Sequence, residues 1–154
     1  MKSRLHGLFG AVSLLCIVTF WASTVVSELF LDQASVVAVK NAVLTGMWVL
    51  IPAMAATGGS GFLLARSRRG RLVDVKGRRM KGVVSNGLLV LLPSAYALAS
   101  WANAGQFDSA FYALQGLELV AGAINITLLV LNLRDGLRLC GRLPAKRSAQ
   151  SSPS

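Results

Sequence analysis

Apolar residues fall in four long blocks separated by polar or charged breaks, at about 7–27, 41–65, 82–101 and 109–133. Each reaches about 20 apolar residues, the length a helix needs to cross ~30 Å of hydrocarbon. Lipid offers no partner to an open backbone N–H or C=O, so a helix is the element expected in each block. The breaks differ in kind. Residues 28–39 and 103–108 carry few charges, whereas 66–81 (RSRRGRLVDVKGRRMK) holds eight basic residues and one acid, Asp74. The pattern predicts an all-α fold: a four-transmembrane-helix bundle made of two hairpins joined by a basic loop. The membrane domain is expected over 1–142. Residues 143–154 are polar and are expected to form a disordered tail.

Charge decides which way the hairpins face. Lys2 and Arg4 precede the first block, eight basic residues fill 66–81, and Arg134, Arg138, Arg142, Lys146 and Arg147 follow the last block. Only Lys40 lies on the other side. Lys and Arg concentrate on the cytoplasmic side of membrane proteins, so both termini and the central loop are expected in the cytoplasm. Glu28, Asp32 and Asp108 then belong to the outer connections, with Phe30, Trp101, Phe107, Phe111 and Tyr112 near the outer interface. Arg66, Arg68, Arg69, Arg71, Arg78 and Arg79 are the candidate contacts to anionic lipid headgroups, which attract basic segments beside a membrane helix.

Composition agrees with this reading. The chain has 154 residues, 54% of them hydrophobic and 14% charged, against about 25% charged in soluble domains. Its mean hydropathy is +0.59. A chain this short forms one domain. A net charge of +10 would suggest nucleic acid in a soluble protein. Here the basic residues flank apolar blocks and no base-reading element accompanies them, so the bilayer is the expected partner and nucleic acid is not. Cys16 falls in the first block and Cys140 in the basic tail, at different depths, without the spacing of a metal site or redox pair. The start, MKSRLH and then an apolar block, has the layout of a secretory signal. The block is long enough to span, however, and Trp21, Val25 and Val26 make a poor cleavage site, so a retained helix is expected.

Polar residues inside the blocks are the candidate chemistry. In the fourth block Gln115, Glu118, Gly122, Asn125, Leu129 and Asn132 fall within an arc of about 100° at helical spacing. In the third, Ser85, Asn86, Pro93, Tyr96, Ser100 and Asn103 fall in a similar arc. A carboxylate facing lipid at a helix centre costs roughly 2.5–3.5 kcal/mol on insertion scales, so both stripes are expected to face protein. Counting a ~1.5 Å rise per residue from the basic edges puts Glu118 and Tyr96 at one level, with Trp21 and Trp48 close by. A Glu118–Tyr96 hydrogen bond or shared water is therefore expected, inside a candidate polar site of Glu118, Gln115, Asn125 and Tyr96.

Pro52 and Pro93 sit near the middle of consecutive blocks. Each lacks an amide proton and frees a carbonyl four residues earlier, at Trp48 and Leu89, so a kink is expected at each. The GGSG at 58–61 follows no strand and is not a phosphate loop. With Ala55 it supplies small residues four apart, Ala55/Gly59, Ala56/Ser60 and Thr57/Gly61, and Ala55, Gly59 and Ser60 are the expected helix-packing positions. Asn125-Ile-Thr127 matches a glycosylation pattern within a span and is a chance match. His6 is the one histidine, at the cytoplasmic edge, roughly 20 Å from Glu118 by the same rise. Asp135 and Asn132 lie near that edge as its candidate partners.

Several stretches carry a resemblance: HGLFGAV with FWASTVVSEL, LIPAMAATGGSGF, FYALQGLELVAGAIN and LNLRDGLRL. They resemble an uncharacterised family of small bacterial four-helix inner-membrane proteins, a domain of unknown function, over most of 4–142. That resemblance implies the bacterial inner membrane and no assigned activity. The chain is also similar, more weakly, to four-helix membrane proteins that handle haem or copper and place a histidine near the start of the first helix, as His6 is placed here.

No catalytic signature, metal motif or cofactor motif is present, so no enzymatic activity and no cofactor are expected. The first expectation is an accessory or interaction subunit that packs with itself or a larger membrane complex through the small-residue face of the second span. The alternatives are a small proton-linked carrier using Glu118, with Gln115, Asn125 and Tyr96 around it, and a haem or redox subunit using His6.

Overall fold

The computed structural model describes the backbone of residues 2–66 and 71–139, and the side chains of 6–61, 63 and 74–138. The fold is all-helical. Helix α1 is Lys2–Phe30, α2 is Gln33–Arg66, α3 is Arg71–Asn86, α4 is Leu92–Asn103 and α5 is Ser109–Leu139. A π-helical turn, Gly87–Leu91, joins α3 to α4 without a break in the helix. Four helices are long and apolar enough to cross a membrane: His6–Phe30, Gln33–Gly61, Asp74–Asn103 and Ser109–Arg138. Successive spans run antiparallel, so the start of α1, the end of α2, the start of α3 and the end of α5 share one end, here the terminal end. Two short turns close the other, the loop end.

The helices are longer, and the connections shorter, than the apolar blocks suggest. The expected connection over 28–39 shrinks to the two residues between α1 and α2. Asp32 makes this possible: its Oδ1 accepts the Ser35 N–H at 3.0 Å, an N-cap that satisfies one of the open donors of α2. Hydrogen bonds from the Ser35 hydroxyl and then its N–H hold the exposed Asp32 carboxyl below the usual carboxylate range. Asp108 caps α5 in the same way, accepting the Phe111 N–H at 3.0 Å. Helix α4 ends on Gly105, whose φ of 70° lets Gln106 N–H reach the Trp101 carbonyl at 2.9 Å and Gly105 N–H reach Ala102 at 3.0 Å. A left-handed glycine closing both bonds is the usual way to stop a helix sharply.

At the terminal end the basic stretch expected as a loop is mostly helix. Helix α2 runs to Arg66 and α3 starts at Arg71, with Asp74 and Arg78 exposed on α3. Arg68 and Arg69 lie outside the described residues, as do the side chains of Arg66 and Arg71, Cys140 and the tail 143–154.

Around the bundle, α1 packs on α2 and α5, α2 on α4, and α3 and α4 on α5. One apolar layer lies near the loop end (Val36, Leu98, Ala102, Phe111). Another lies toward the terminal end (Ile17, Val83, Leu129). The α1–α2 contact is close because Gly46 carries no side chain: a Cβ there would stand 2.3 Å from Phe20 Cζ. Thr57 and Gly61 also face α1, opposite Gly10 and His6. Ala55 and Gly59, expected as packing positions, are exposed, and Ser60 is half-buried. Of the three small-residue pairs on α2, Thr57/Gly61 therefore supplies the contact with α1, and Ala55/Gly59 stays uncovered.

The π turn explains a larger correction. Asn86, just before it, points inward. Beyond it Pro93, Tyr96, Ser100 and Asn103 are exposed, and the buried residues are Ser94, Ala95, Leu98, Ala99 and Ala102. The expected stripe assumes about 100° per residue throughout. A π turn accommodates one extra residue, so every later position is rotated by about one residue. Pro93 supplies the cause: its ring and missing N–H cannot continue an α-helical turn, and Leu92 N–H bonds instead to the Gly87 carbonyl, five residues back.

Candidate functional site

The bundle is polar within and apolar without. Among its largest fully buried side chains are Lys40 and Asn125, while Trp48 is 84% exposed and Leu89 75%. In water this arrangement would be costly; in lipid the apolar faces meet hydrocarbon and the polar groups must find partners inside. Three polar clusters do so, one above another along α5.

The first is the charged cluster of Lys40, Gln115 and Glu118. Lys40 lies seven residues into α2, about 10 Å from its start at the rise of a helix. It is 2% exposed. Its Nζ donates to Glu118 Oε2 at 2.9 Å and to Gln115 Oε1. The Gln115 side-chain N–H also reaches Glu118 Oε2, at 3.4 Å. Gln115 and Glu118 are three apart on α5 and so share a face. Glu28, near the end of α1, lies within electrostatic reach of both Lys40 and Glu118. Its Oε1 is buried with no hydrogen-bond partner among the described residues. The cluster thus joins α2 to α5, with Glu28 of α1 nearby. An exposed reciprocal amide pair beside it, Asn41 with Asn103 at 2.9 and 3.1 Å, joins α2 to α4.

Toward the bundle centre a cavity of about 70 Å³ opens beside Glu118, lined by Phe20, Trp21, Thr24, Met47, Leu91 and others. It holds a few waters at most; sites for drug-sized ligands run to about 300–1,000 Å³. Trp21 forms one wall. Its Nε1–H donates to the Leu119 carbonyl at 2.9 Å, and its ring lies where a Cβ on Gly122 would come within 2.9 Å.

The second cluster is Asn86 and Asn125. Asn86 Nδ2 donates to Asn125 Oδ1 at 2.9 Å and to the Ala121 carbonyl at 2.8 Å. Asn125 Nδ2 donates to the Val83 carbonyl at 3.3 Å. This pair ties α3 to α5 at the last residue before the π turn. The third is at the terminal end, where Asp135 Oδ2 accepts from Arg79 Nη1 at 2.6 Å. Arg134 Nε and Arg138 Nη1 stand 3.5 and 3.9 Å from Asp135 Oδ1.

The candidate residues therefore part company. Glu118 and Gln115 sit together. Asn125 belongs to the second cluster, seven residues away. Tyr96 is 70% exposed on α4, turned out by the π turn, and Glu118 bonds Lys40 where a bond to Tyr96 was expected. Trp21 adjoins Glu118, but Trp48 faces outward. His6 pairs with neither Asp135 nor Asn132: its Nδ1 lies 2.9 Å from Ser60 Oγ, and Ser60 Oγ donates to the Ala56 carbonyl at 2.5 Å. Lys40 escaped the sequence reading because it sat at the edge of an apolar block and was assigned to a loop. The signal was its isolation, a lone cation opposite a lone intramembrane carboxylate. Among the described residues no group of three or more His, Cys, Asp or Glu is placed to hold a metal ion.

No protein-family model, curated protein or solved structure matches the chain.

Proposed function

We propose that the protein is a multi-pass protein of the bacterial inner membrane, with both termini in the cytoplasm, acting as a non-enzymatic interaction subunit. The observation that carries this reading is the Lys40–Gln115–Glu118 cluster. Its charges satisfy one another across the two hairpins, and the adjoining cavity is too small for an organic substrate. Such a cluster fixes how the hairpins dock. Two further features support an interaction role: α2 leaves Ala55, Gly59 and Trp48 uncovered, and a groove lined by Leu8, Val12, Trp48, Pro52 and Ala56 runs beside them. Small residues permit close helix approach in lipid. The orientation follows from the basic residues gathered at the terminal end.

Extraction of native membranes in mild detergent tests the role. A stoichiometric partner, or a defined homo-oligomer, is expected to co-purify; a lone monomer under the gentlest extraction would end this reading. A cysteine at exposed Asp74 tests the orientation. It should react with an impermeant thiol reagent only after the cells are opened, and labelling of intact cells would reverse the topology.

A second reading is favoured by one observation: Glu28 sets a second carboxylate oxygen, buried and unpartnered among the described residues, near Lys40 and Glu118. Two carboxylates within electrostatic reach of one ammonium leave a net negative charge, which a proton neutralises. A small proton-linked carrier would use such a site. Protein reconstituted in vesicles with an enclosed pH dye should then show proton flux that disappears in Glu28→Gln. Flux equal to that of empty vesicles would remove the carrier.

A further inference from the structure

The terminal-end cluster has more donors than its acceptor can use. Arg79, Arg134 and Arg138 converge on one carboxylate, Asp135, which is 3% exposed. Three guanidiniums present about fifteen N–H donors, and one carboxylate offers about four acceptor positions. Only Arg79 is at short range; the other two stand at 3.5 and 3.9 Å. The Lys76 ammonium adds charge, lying 3.1 Å from where a Cβ would stand on Gly136.

Two polar groups there are buried without a hydrogen-bond partner among the described residues. One is Arg138 Nε. The other is the whole amide of Asn132, both Nδ2 and Oδ1. Asn132 is 5% exposed and lies one turn inward of Asp135 on the same side of α5. A buried amide left unmade at both ends is unfavourable, so its presence calls for a ligand.

We propose that Arg79, Arg134, Arg138 and Asn132 form a binding site for a phosphate group, with Asp135 holding the guanidiniums in position. Phosphate suits the geometry because planar guanidinium forks bind its oxygens in pairs. The Asn132 amide adds a neutral donor beneath them. The cluster's surplus of positive charge, three arginines against one aspartate, is what a phosphate monoester or diester would balance. The candidate membrane helices contributing to it are 30 residues long, about 45 Å at the helical rise. That covers the hydrocarbon and both headgroup layers, ~40–45 Å. The cluster, in the last turns of α5 and at Arg79, five residues from the start of the third span, therefore lies at the boundary between hydrocarbon and headgroups. The phosphate comes either from an anionic lipid or from a soluble phosphate compound. Only the choice of a lipid source rests on the membrane reading.

The test uses the full chain, purified and stripped of lipid in mild detergent. Native mass spectrometry measures retention of dioleoylphosphatidylglycerol against dioleoylphosphatidylcholine, and calorimetry measures binding of inorganic phosphate. Two variants accompany the wild type: Arg134→Gln/Arg138→Gln, which keeps the Arg79–Asp135 pair, and Asn132→Leu, which removes the unpartnered amide. Asn132→Leu should be at least as stable as the wild type without added phosphate, so lost binding in it is not lost folding. Preferential retention of phosphatidylglycerol, weakened tenfold or more in both variants, supports the site and a lipid source. Inorganic phosphate binding, weakened likewise but without a lipid preference, supports the site and a soluble source. No binding of either probe, or equal binding by wild type and variants, overturns the proposal. Recovery of the chain in the aqueous fraction without detergent would sink the membrane reading and leave the phosphate arm standing.

Discussion

The Lys40 ammonium, 2.9 Å from Glu118 Oε2, joins the first hairpin to the second across 78 residues of sequence. Both side chains are largely withdrawn from solvent, so neither charge has a substitute for the other apart from Gln115 and Glu28. Removing one member of such a pair strands its partner, at a cost of about 3–5 kcal/mol, while replacing both by apolar residues is often neutral. Lys40→Met and Glu118→Met are each expected to destabilise the bundle by about that amount, and the double variant to recover most of the loss. Unfolding of purified protein in mixed micelles would measure it. Additive losses in the double variant would mean that the two residues do not act as a pair.

The π turn predicts a contrast between two neighbours on α4. Tyr96 is 70% exposed and Leu98 fully buried. Tyr96→Ala should change stability by no more than ~0.5 kcal/mol. Leu98→Ala should cost about 2 kcal/mol or more through lost packing. The reverse order would show that the helix keeps α-helical register through residues 87–91.

Gly46 is expected to be intolerant of any side chain. A Cβ would come within 2.7 Å of two Phe20 ring atoms, and overpacking of this kind costs about 1–3 kcal/mol. Gly46→Ala should lower the thermal midpoint, and Phe20→Leu in the same chain should restore part of it. An unchanged midpoint in Gly46→Ala would mean that the α1–α2 contact is looser than it stands here.

Asp32 gives the first turn of α2 a pH dependence. Its folded pKa is depressed by the Ser35 hydroxyl and N–H. A depressed carboxylate contributes stability that is present above the unfolded pKa and lost as pH falls through the folded one. Amide exchange at Ser35 and Val36 should therefore accelerate, relative to the rest of α2, as pH drops below the ordinary carboxylate range. Asp32→Asn keeps an uncharged cap and should remove that acid-dependent change. The same acceleration in Asp32→Asn would assign it to another group.

Both polar stripes were drawn with one angular rule, and they fared differently. Gln115, Gly122, Asn125, Leu129 and Asn132 are all buried, because α5 runs without interruption from Ser109 to Leu139 and the rule applies along its whole length. On the third span the rule places Asn86 inward but Ser85 is already exposed, and after the π turn Pro93, Tyr96, Ser100 and Asn103 are exposed as well. Pro93 was visible in the sequence as a source of distortion. Whether the chain would answer with an open kink or with an added residue depended on how α3 and α4 pack against α5.

Local pattern alone determined that the chain forms four long apolar helices, that their breaks fall within 28–39, 66–81 and 103–108, and that α5 turns its polar face inward. Those properties depend only on composition and on the regular advance of a helix. The partner of Glu118 was decided by tertiary structure. Nothing in the residues around Lys40 or Glu118 encodes a distance between helices, and the short capped turn at Asp32 was needed to draw Lys40 two turns into α2. The same is true at the other end, where Arg79 of α3 meets Asp135 of α5 only because the two helices lie side by side.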